Sequence, residues 1–259
     1  MPNPEQSIVL SGFTQCHNAL SLDYCIEACI RSLLPVCDEV VVSDKASDDG
    51  TKEWLKAWAR DEPKLRIIDM PWDPPNGVGP VWFVKWINDT RAHLRGKMML
   101  HLDCDEVLDE CAYPEIKVAV ALHEARWFDR INYVKDALHK VPNGYVCGTE
   151  VARLGPSDWE MPSDEPRYQG EPPIRARAKK HPSLVIHHFG MLRRRAAFFA
   201  KSKIVQKIWN SGYDHRLHQA EVEDLPWYEL FDEWKPVMSS HTLPRHGLPW
   251  LQQRGYLYF

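Results

Sequence analysis

The chain has 259 residues, of which 44% are apolar and 26% charged, and its formal net charge is −4. These values indicate an ordinary globular chain, and the seven cysteines include no Cys-x-x-Cys pair that would favour a structural zinc site. The first residues form no basic and apolar leader, and no stretch approaches ~18 consecutive apolar residues, so we expect a cytoplasmic protein without a membrane-spanning helix.

Strand and helix signals alternate along the first part of the chain. Apolar or β-branched runs predict strands at residues 7–12, 39–43, 65–69 and 98–102. Apolar residues at helical spacing predict helices at residues 23–34, 52–60 and 82–94. This alternation predicts a parallel, doubly wound sheet, in which ligands bind at the carboxyl ends of the strands. In this sequence we expect those ends at Gly12, Asp44 and Asp103.

An acidic triplet, Asp103-Cys104-Asp105, follows the last of these strands at once. A buried strand cannot keep two carboxylates at its tip without a compensating partner, and a divalent metal ion is the simplest one. Hard oxygen ligands suit Mg²⁺ or Mn²⁺, which take one or two protein carboxylates and fill the other positions with water and a diphosphate. The triplet therefore predicts an enzyme that handles a nucleotide diphosphate. The alternative is a loop aspartate that caps the next helix.

The three expected strand ends have complementary chemistry. Gly12 leaves open space, Asp44 can accept hydrogen bonds from a base or a ribose, and the carboxylate pair can hold a metal ion. A nucleotide with its diphosphate would span these positions. Ser47 or Asp49 could in addition cap the helix that follows Asp44.

Four motifs follow one another in a recognisable order. They are residues 38–51 (DEVVVSDKASDDGT), residues 12–18 (GFTQCHN), the spacing from Asn88 through Gly96 to residues 103–106, and residues 186–193 (IHHFGMLR) with Lys201 downstream. Together they resemble the nucleotide-diphospho-sugar glycosyltransferases of the GT-A fold, of the family 2 type. The resemblance covers residues 7–115 and, more loosely, 184–209.

The resemblance implies a GT-A (Rossmann-like) α/β fold, with a mostly parallel doubly wound sheet and an appended acceptor-side α+β region. It implies a single domain over residues 1–259, with a nucleotide-sugar-binding half at 7–115 and an acceptor-side half at 116–259. It implies transfer of a sugar from a nucleotide-diphosphate sugar, a UDP-sugar first, to a hydroxyl acceptor with Mn²⁺ or Mg²⁺. The implied nucleotide-binding residues are Gly12, Phe13, Thr14, Asn18, Asp44, Ser47, Asp49, Asn88, Asp103, Arg193 and Lys201.

The resemblance also implies roles for residues late in the chain. Alternation along the strand-like residues 183–186 sends His187 and His188 to opposite faces, so at most one of them enters the site. His188 would complete the coordination of a metal ion held by Asp103 and Asp105, with His187 in reserve. The adjoining Arg193 and Lys201 would neutralise the leaving diphosphate.

An inverting transfer needs a carboxylate that takes the acceptor's proton, and we expect it at Asp158 or Glu160 in a Pro- and Trp-rich stretch. A retaining enzyme would not need that base. The sequence departs from the family at Ile87, where many members carry Arg, so Lys85 or Arg91 could supply the charge instead. It also departs at Lys45-Ala46, where a small residue and Gly are usual.

Ten basic residues and no acidic residue lie between Arg175 and Lys207. This charge suits an anionic acceptor, such as a bacterial surface glycan or, in a phage enzyme, DNA with hydroxymethylated bases. Two other classes stay open. A nucleotidyltransferase would begin with a Gly-rich basic loop, which residues 12–18 lack, and a non-catalytic nucleotide- or sugar-binding module would need no metal. The donor sugar, the stereochemical outcome and the oligomeric state also stay open.

Overall fold

The computed structural model describes residues 8–74, 80–142, 150–159, 179–209 and 235–257. The elements of the first half are β1 (Leu10–Cys16), α1 (Ile26–Leu33), β2 (Glu39–Lys45), α2 (Thr51–Asp61), β3 (Leu65–Met70), α3 (Pro80–Arg91) and β4 (Met98–His101). After them come β5 (Glu106–Leu108), α4 (Tyr113–Ala121), β6 (Arg126–Asn132), β7 (His139–Lys140), β8 (Glu150–Pro156), β9 (Lys179–His188), α5 (Arg195–Trp209), β10 (Val237–Met238) and α6 (Leu248–Gln253). Within these ranges, none of the helices has the length and apolar character that crossing a membrane requires.

Eight strands form one mixed sheet in the order β3-β2-β1-β4-β8-β6-β9-β5. The first four strands of this order are parallel, β8 runs antiparallel to both of its neighbours, and β6 and β9 are again parallel. Strands β7 and β10 form a separate antiparallel pair. The predicted α/β, Rossmann-like architecture with a mostly parallel sheet is therefore confirmed.

The main core lies between the parallel strands and the helices that cover them. Helix α1 presents Ile26, Ile30 and Leu33 to the sheet, as its helical spacing predicts. They meet buried side chains of the parallel strands, among them Val40 and Leu100. This packing sets the carboxyl ends of β1, β2 and β4 side by side.

Strand β1 is longer than the sequence suggests, and this corrects the prediction that it ends at Gly12. The strand continues to Cys16, and two polar side chains along it are buried with partners: Ser11 Oγ donates to Glu39 Oε1 at 2.7 Å, and Gln15 Nε2 lies 3.1 Å from His101 Nε2. Gly12 lies inside the sheet, beside Val40 and Leu100.

Three residues predicted to bind the nucleotide therefore belong to the interior of the sheet. A Cβ at Gly12 would lie 2.8 Å from Cys37 Sγ. Phe13 and Thr14 are fully buried, and the Phe13 ring stacks on His101 at a centroid distance of 4.6 Å. Gly12, Phe13 and Thr14 support the sheet, and the edge facing a ligand begins after Cys16.

We expect Gly12→Ala to destabilise the protein by about 1–3 kcal/mol, because the new methyl group overpacks the contact with Cys37. Urea unfolding measures this change. Cys37→Ala removes the clashing sulfur, so the double variant should be more stable than the sum of the single changes predicts. Strict additivity, or a loss of ligand affinity in Gly12→Ala without a loss of stability, would contradict the packing role.

Candidate active site

The acidic triplet forms the turn between β4 and β5, at the carboxyl edge of the sheet. The amide of Glu106 donates to Asp103 O at 2.9 Å, and the amide of Asp103 donates to the Glu106 carboxylate at 2.9 Å. Glu106 is fully buried, whereas the Asp103 side chain keeps 38% of its surface exposed. The turn thus fixes Asp103 and Asp105 at the edge where parallel α/β sheets bind ligands.

Asp105 is the buried acid of this turn. Its Oδ2 accepts hydrogen bonds from Arg193 Nη2 at 2.6 Å and from Lys201 Nζ at 3.0 Å, and its Oδ1 lies 3.5 Å from His188 Nε2. Burial alone would raise the pKa of Asp105, but Lys201, His188 and Arg193 outweigh it and hold that pKa well below its usual range. Asp105 is therefore a permanent anion.

His188 reaches Asp105 from the end of β9. Its Nδ1 lies 2.7 Å from Asn132 Oδ1, an acceptor, so in the neutral imidazole Nδ1 carries the proton and Nε2 presents a lone pair towards Asp105. A lone pair and a carboxylate oxygen at this distance repel each other unless a cation lies between them. A second proton or a divalent metal ion meets that requirement.

Gly190 leaves the room that this pair needs. A Cβ at Gly190 would lie 2.4 Å from His188 Nε2 and 2.9 Å from Asp105 Oδ2. Any larger residue would push the two ligating atoms apart or fill the space between them. The glycine in the His-x-Gly spacing is therefore a steric requirement of the Asp105–His188 pair.

The Asp105–His188 pair fits a divalent ion of the kind that binds together with a diphosphate. No group of three or more His, Cys, Asp or Glu side chains able to hold a metal occurs among the described residues. Mg²⁺ and Mn²⁺ do not need such a cage, because they commonly use one or two protein ligands and take the rest from phosphate and water. The donor set at this edge is of that open type, with the partly exposed Asp103 beside it.

His187 lies on the other face of β9, as alternation predicts. It is fully buried, its Nδ1 is 3.0 Å from the Tyr133 hydroxyl, and its Nε2 is 3.0 Å from Asp109 Oδ2. Both ring nitrogens therefore have protein partners away from Asp105. The position of His187 therefore does not suit the reserve metal ligand that the sequence analysis expects, and His188 is the histidine that faces Asp105.

Asp103 is held by a buried arginine that the sequence analysis missed. Arg153 on β8 donates to Asp103 Oδ2 at 2.7 Å and to both oxygens of Glu106 at 2.8 and 2.9 Å. The second terminal nitrogen of Arg153, Nη1, lies 2.9 Å from His101 Nδ1. Burial would raise the pKa of Asp103, but the charge of Arg153 outweighs it and holds that pKa at about 2. Burial and Arg153 also lower the pKa of His101 to about 3, so this imidazole is neutral.

Arg193 lies beneath Asp105 and has no exposed side-chain surface. Besides Asp105, its guanidinium donates to Leu22 O and to Gly190 O, and it stacks 3.9 Å from the centre of the Tyr24 ring. All of these contacts are internal. Direct neutralisation of a diphosphate by Arg193 is therefore incompatible with its position, and its role is to support Asp105.

The loops after β1 and β2 interlock at the same edge. Asn18 N donates to Ser47 Oγ at 2.8 Å, Asn18 Nδ2 donates to Asp48 Oδ1 at 2.8 Å, and Asn18 Oδ1 accepts from Asp48 N at 2.9 Å. Asp44 is buried and accepts from Ser47 N at 3.0 Å. Asp49 accepts from Ser21 N at 2.7 Å and from Thr51 N at 3.0 Å. Four of the residues predicted to bind the nucleotide, Asn18, Asp44, Ser47 and Asp49, are thus brought together.

Asp158 lies at the opposite edge from Asp103. Strand β8 runs antiparallel to β4 and pairs Pro156 with Met98, the first residue of β4. Ser157 then bonds to Lys97 O and Gly96 O, which precede β4. The prediction that Asp158 is the catalytic base is wrong for this reason.

The other predicted site residues lie elsewhere. Glu160 lies outside the described residues. Asn88 is a half-buried residue of α3, about one helical turn before Arg91. The Arg91 guanidinium donates to Ser157 O, which lies at the edge of the sheet away from Asp103. Lys85 forms an ion pair with Asp89. Neither Lys85 nor Arg91 therefore replaces the family's arginine in this conformation.

Comparison with known proteins adds information on the fold. No family model matches the chain, and no curated protein matches it in sequence. Among solved structures, TarS from S. aureus matches with a TM-score of 0.50 and 14% identity, over 84% of this chain and 43% of that one. Residues 1-349 of TarS in complex with UDP-GlcNAc match with a TM-score of 0.47 and 13% identity, over 87% and 73% of the two chains.

A mannosyltransferase from Pyrobaculum calidifontis, in complex with GDP-Man and Mn²⁺, matches with a TM-score of 0.49 and 16% identity, over 99% of this chain and 86% of that one. The chain spans less than half of the TarS chain that it matches at a TM-score of 0.50. At these identities the likeness concerns the fold alone, and it agrees with the α/β architecture described above.

We expect Arg193→Met to lower the free energy of unfolding by about 3 kcal/mol or more, because it leaves a buried carboxylate without one of its cations. Arg194→Met is the matched control, since this neighbouring guanidinium is 59% exposed. It should change the stability by less than about 1 kcal/mol. Equal effects of the two substitutions in urea unfolding would refute the supporting role of Arg193.

Proposed function

We propose that this chain is a metal-dependent glycosyltransferase that moves a sugar from a nucleotide-diphosphate sugar to a hydroxyl acceptor. The observation that carries the proposal is the Asp105–His188 pair, with Asp103 beside it, at the ligand-binding edge of a Rossmann-like sheet. The donor class is the one seen with TarS and with the mannosyltransferase, which were solved with UDP-GlcNAc and with GDP-Man and Mn²⁺. The proposal is supported mainly by the geometry of this chain's own residues.

Asp105 and His188 would hold the metal ion, with Asp103 on its open side. When bound, the ion supplies positive charge to the diphosphate and makes the nucleoside diphosphate a competent leaving group. His188 is oriented for this role by its hydrogen bond to Asn132, which fixes the tautomer with Nε2 unprotonated.

Lys201 is the cation that we assign to the departing diphosphate. Its side chain is 24% exposed, whereas Arg193 is fully enclosed. Burial and the neighbouring Arg193 lower the pKa of Lys201, whereas Asp105 raises it, and the net effect is a lowered pKa. A partly desolvated ammonium group beside the anionic ligand stabilises the negative charge that develops as the sugar leaves.

The nucleoside would lie over the ends of β1 and β2. The interlocked loops at Asn18 and Ser47 form the floor there, and Asp44 ends the second strand. We retain Asp44, Ser47, Asp49 and Asn18 as nucleoside-side residues and Asn88 as a candidate on α3. Glu160 is retained as a candidate base.

We propose that the acceptor is anionic, as a phosphate-bearing surface glycan or modified DNA would be. Helix α5 carries Lys201 on the side of the acidic turn, and Arg194, Lys203 and Lys207 are exposed along the same segment. These cations would attract a polyanion to the edge at which Lys201 lies.

A thermal-shift screen tests the proposal with UDP, GDP, ADP, CDP and TDP, each with and without Mn²⁺. We expect at least one nucleoside diphosphate to raise the melting temperature only when Mn²⁺ is present. Incubation with the matching nucleotide-sugar should release the nucleoside diphosphate. Release of inorganic diphosphate from a nucleoside triphosphate and a sugar 1-phosphate would instead indicate a nucleotidyltransferase, and binding without any turnover would indicate a binding module.

The Mn²⁺-dependent part of the affinity should fall by at least ~10-fold in Asp105→Asn and in His188→Ala, because each loses a metal ligand. His188→Ala leaves Arg193 and Lys201 paired with Asp105, so its folding should be retained. Asp158→Asn is the matched control at the opposite edge and should keep full affinity and turnover. Unchanged Mn²⁺ dependence in His188→Ala would overturn the metal assignment.

A further inference from the structure

A cavity of about 480 Å³ lies beside the carboxyl ends of β2 and β3. Its lining includes Lys45 and Met70, the last residues of these two strands, and Trp82, Lys85, Trp86 and Asp89 of α3. Two indole rings, inclined to each other by 51°, form part of its wall, and charged groups of both signs belong to the same lining. A cavity of this size and chemistry suits a planar polar ring.

Lys45 is the unusual member of this lining. Only 4% of its surface is exposed, and its ammonium lies 5.3 Å from the centre of the Trp86 ring. Within the described ranges, no carboxylate lies at ion-pair distance from this ammonium. Burial lowers the pKa of Lys45 to about 8; the nearby Lys85 adds to this effect, while Asp89 and Asp73, which form no ion pair with it, offset only part of it. A buried donor in this situation indicates an acceptor that a ligand would bring.

Lys85 shows the contrast within the same cavity. Its ammonium pairs with Asp89 one helical turn away, and its side chain is 68% exposed. Lys85 is therefore satisfied by a surface ion pair, whereas Lys45 is not. The two lysines carry the same charge but differ in burial and in partner.

The strand order connects this cavity to the proposed diphosphate site. Along the edge, the sheet runs β3-β2-β1-β4, and neighbouring strands lie ~4.8 Å apart. From Asp103 after β4 to Lys45 on β2 is two strand spacings, or ~10 Å. This inference rests on the proposed function: a nucleotide with its diphosphate at Asp105 and its ribose above β1 would extend its base to the ends of β2 and β3.

The charges of the cavity distinguish between nucleobases. Lys45 offers a donor, and Asp89 and Asp73 offer acceptors along the same lining. Uracil, thymine and guanine have a ring carbonyl next to a ring N–H, so they can accept from an ammonium and donate to a carboxylate. Cytosine and adenine have an amino group in place of that carbonyl. This amino group is a donor, so it would face the Lys45 ammonium without a hydrogen bond between them.

We propose that Lys45 selects a donor whose base carries a carbonyl beside a ring N–H, so that the substrate is a uridine, thymidine or guanosine diphosphate sugar. Adenosine and cytidine diphosphate sugars would be rejected. The ammonium hydrogen-bonds to the base carbonyl within the cavity, and the Trp86 ring supports both groups.

The test is a set of dissociation constants, measured with Mn²⁺ by calorimetry, for UDP, TDP, GDP, CDP and ADP. The wild-type chain should bind at least one of UDP, TDP and GDP about 10-fold or more tightly than CDP and ADP, as a charge-assisted hydrogen bond implies. Lys45→Met should lose about 10-fold or more for that preferred ligand and should bind all five with similar affinity. Its melting temperature should not fall, because methionine removes a buried, unpaired charge and keeps the volume.

Lys117→Met is the matched control, with the same change of charge at an exposed lysine of α4 outside the cavity, and its selectivity should equal that of the wild type. Three results would overturn the inference alone: a wild-type preference for CDP or ADP, unchanged selectivity in Lys45→Met, or a loss in Lys45→Met by the same factor for all five ligands. The absence of binding by any nucleoside diphosphate to the wild-type chain would instead overturn the proposed function, and the inference with it.

Discussion

The ion pair between Asp105 and Arg193 is the contact on which the rest of the site depends. A buried carboxylate costs several kcal/mol unless its charge is compensated, and Arg193 compensates it from below. The same guanidinium bonds to Leu22 O and Gly190 O. One side chain therefore ties the loops that follow β1 and β9 to the turn that follows β4. Because all three loops bond to one buried guanidinium, moving any of them breaks a buried hydrogen bond.

The two acids of the triplet have separate cations, and this is how the chain keeps them close together. Arg153 on β8 donates hydrogen bonds to Asp103 and Glu106. Arg193 and Lys201, which follow β9, donate hydrogen bonds to Asp105. Repulsion between the carboxylates is thereby removed before any ligand arrives. A divalent ion that enters this balanced site adds net positive charge, which a diphosphate then offsets. We therefore expect metal and diphosphate to bind as a unit.

The first half of the fold could be predicted because its signals are local. β-branched runs and helical spacing located β2, β3, β4, α1, α2 and α3 to within a few residues of their observed bounds. The end of β1 was missed because Ser11, Thr14 and Gln15 look like loop residues, and only their tertiary partners make them strand residues. Arg153 was missed, and Arg193 was given a ligand-binding role, for a related reason. Arginine is mostly a surface residue, so nothing local shows that a guanidinium is enclosed.

The direction of a strand is a further property that the sequence does not display, and it decides where a catalytic base could stand. Because β8 is antiparallel to β4, residues that follow β8 lie at the edge away from Asp103. Strand β6 is antiparallel to β8 and parallel to β9, so both β6 and β9 end at the edge of Asp103. Asn132 and His188, the last residues of these strands, confirm this by meeting beside Asp105. Under the proposed function, a described carboxylate that takes the acceptor's proton would therefore have to come from a segment that starts or ends at that edge.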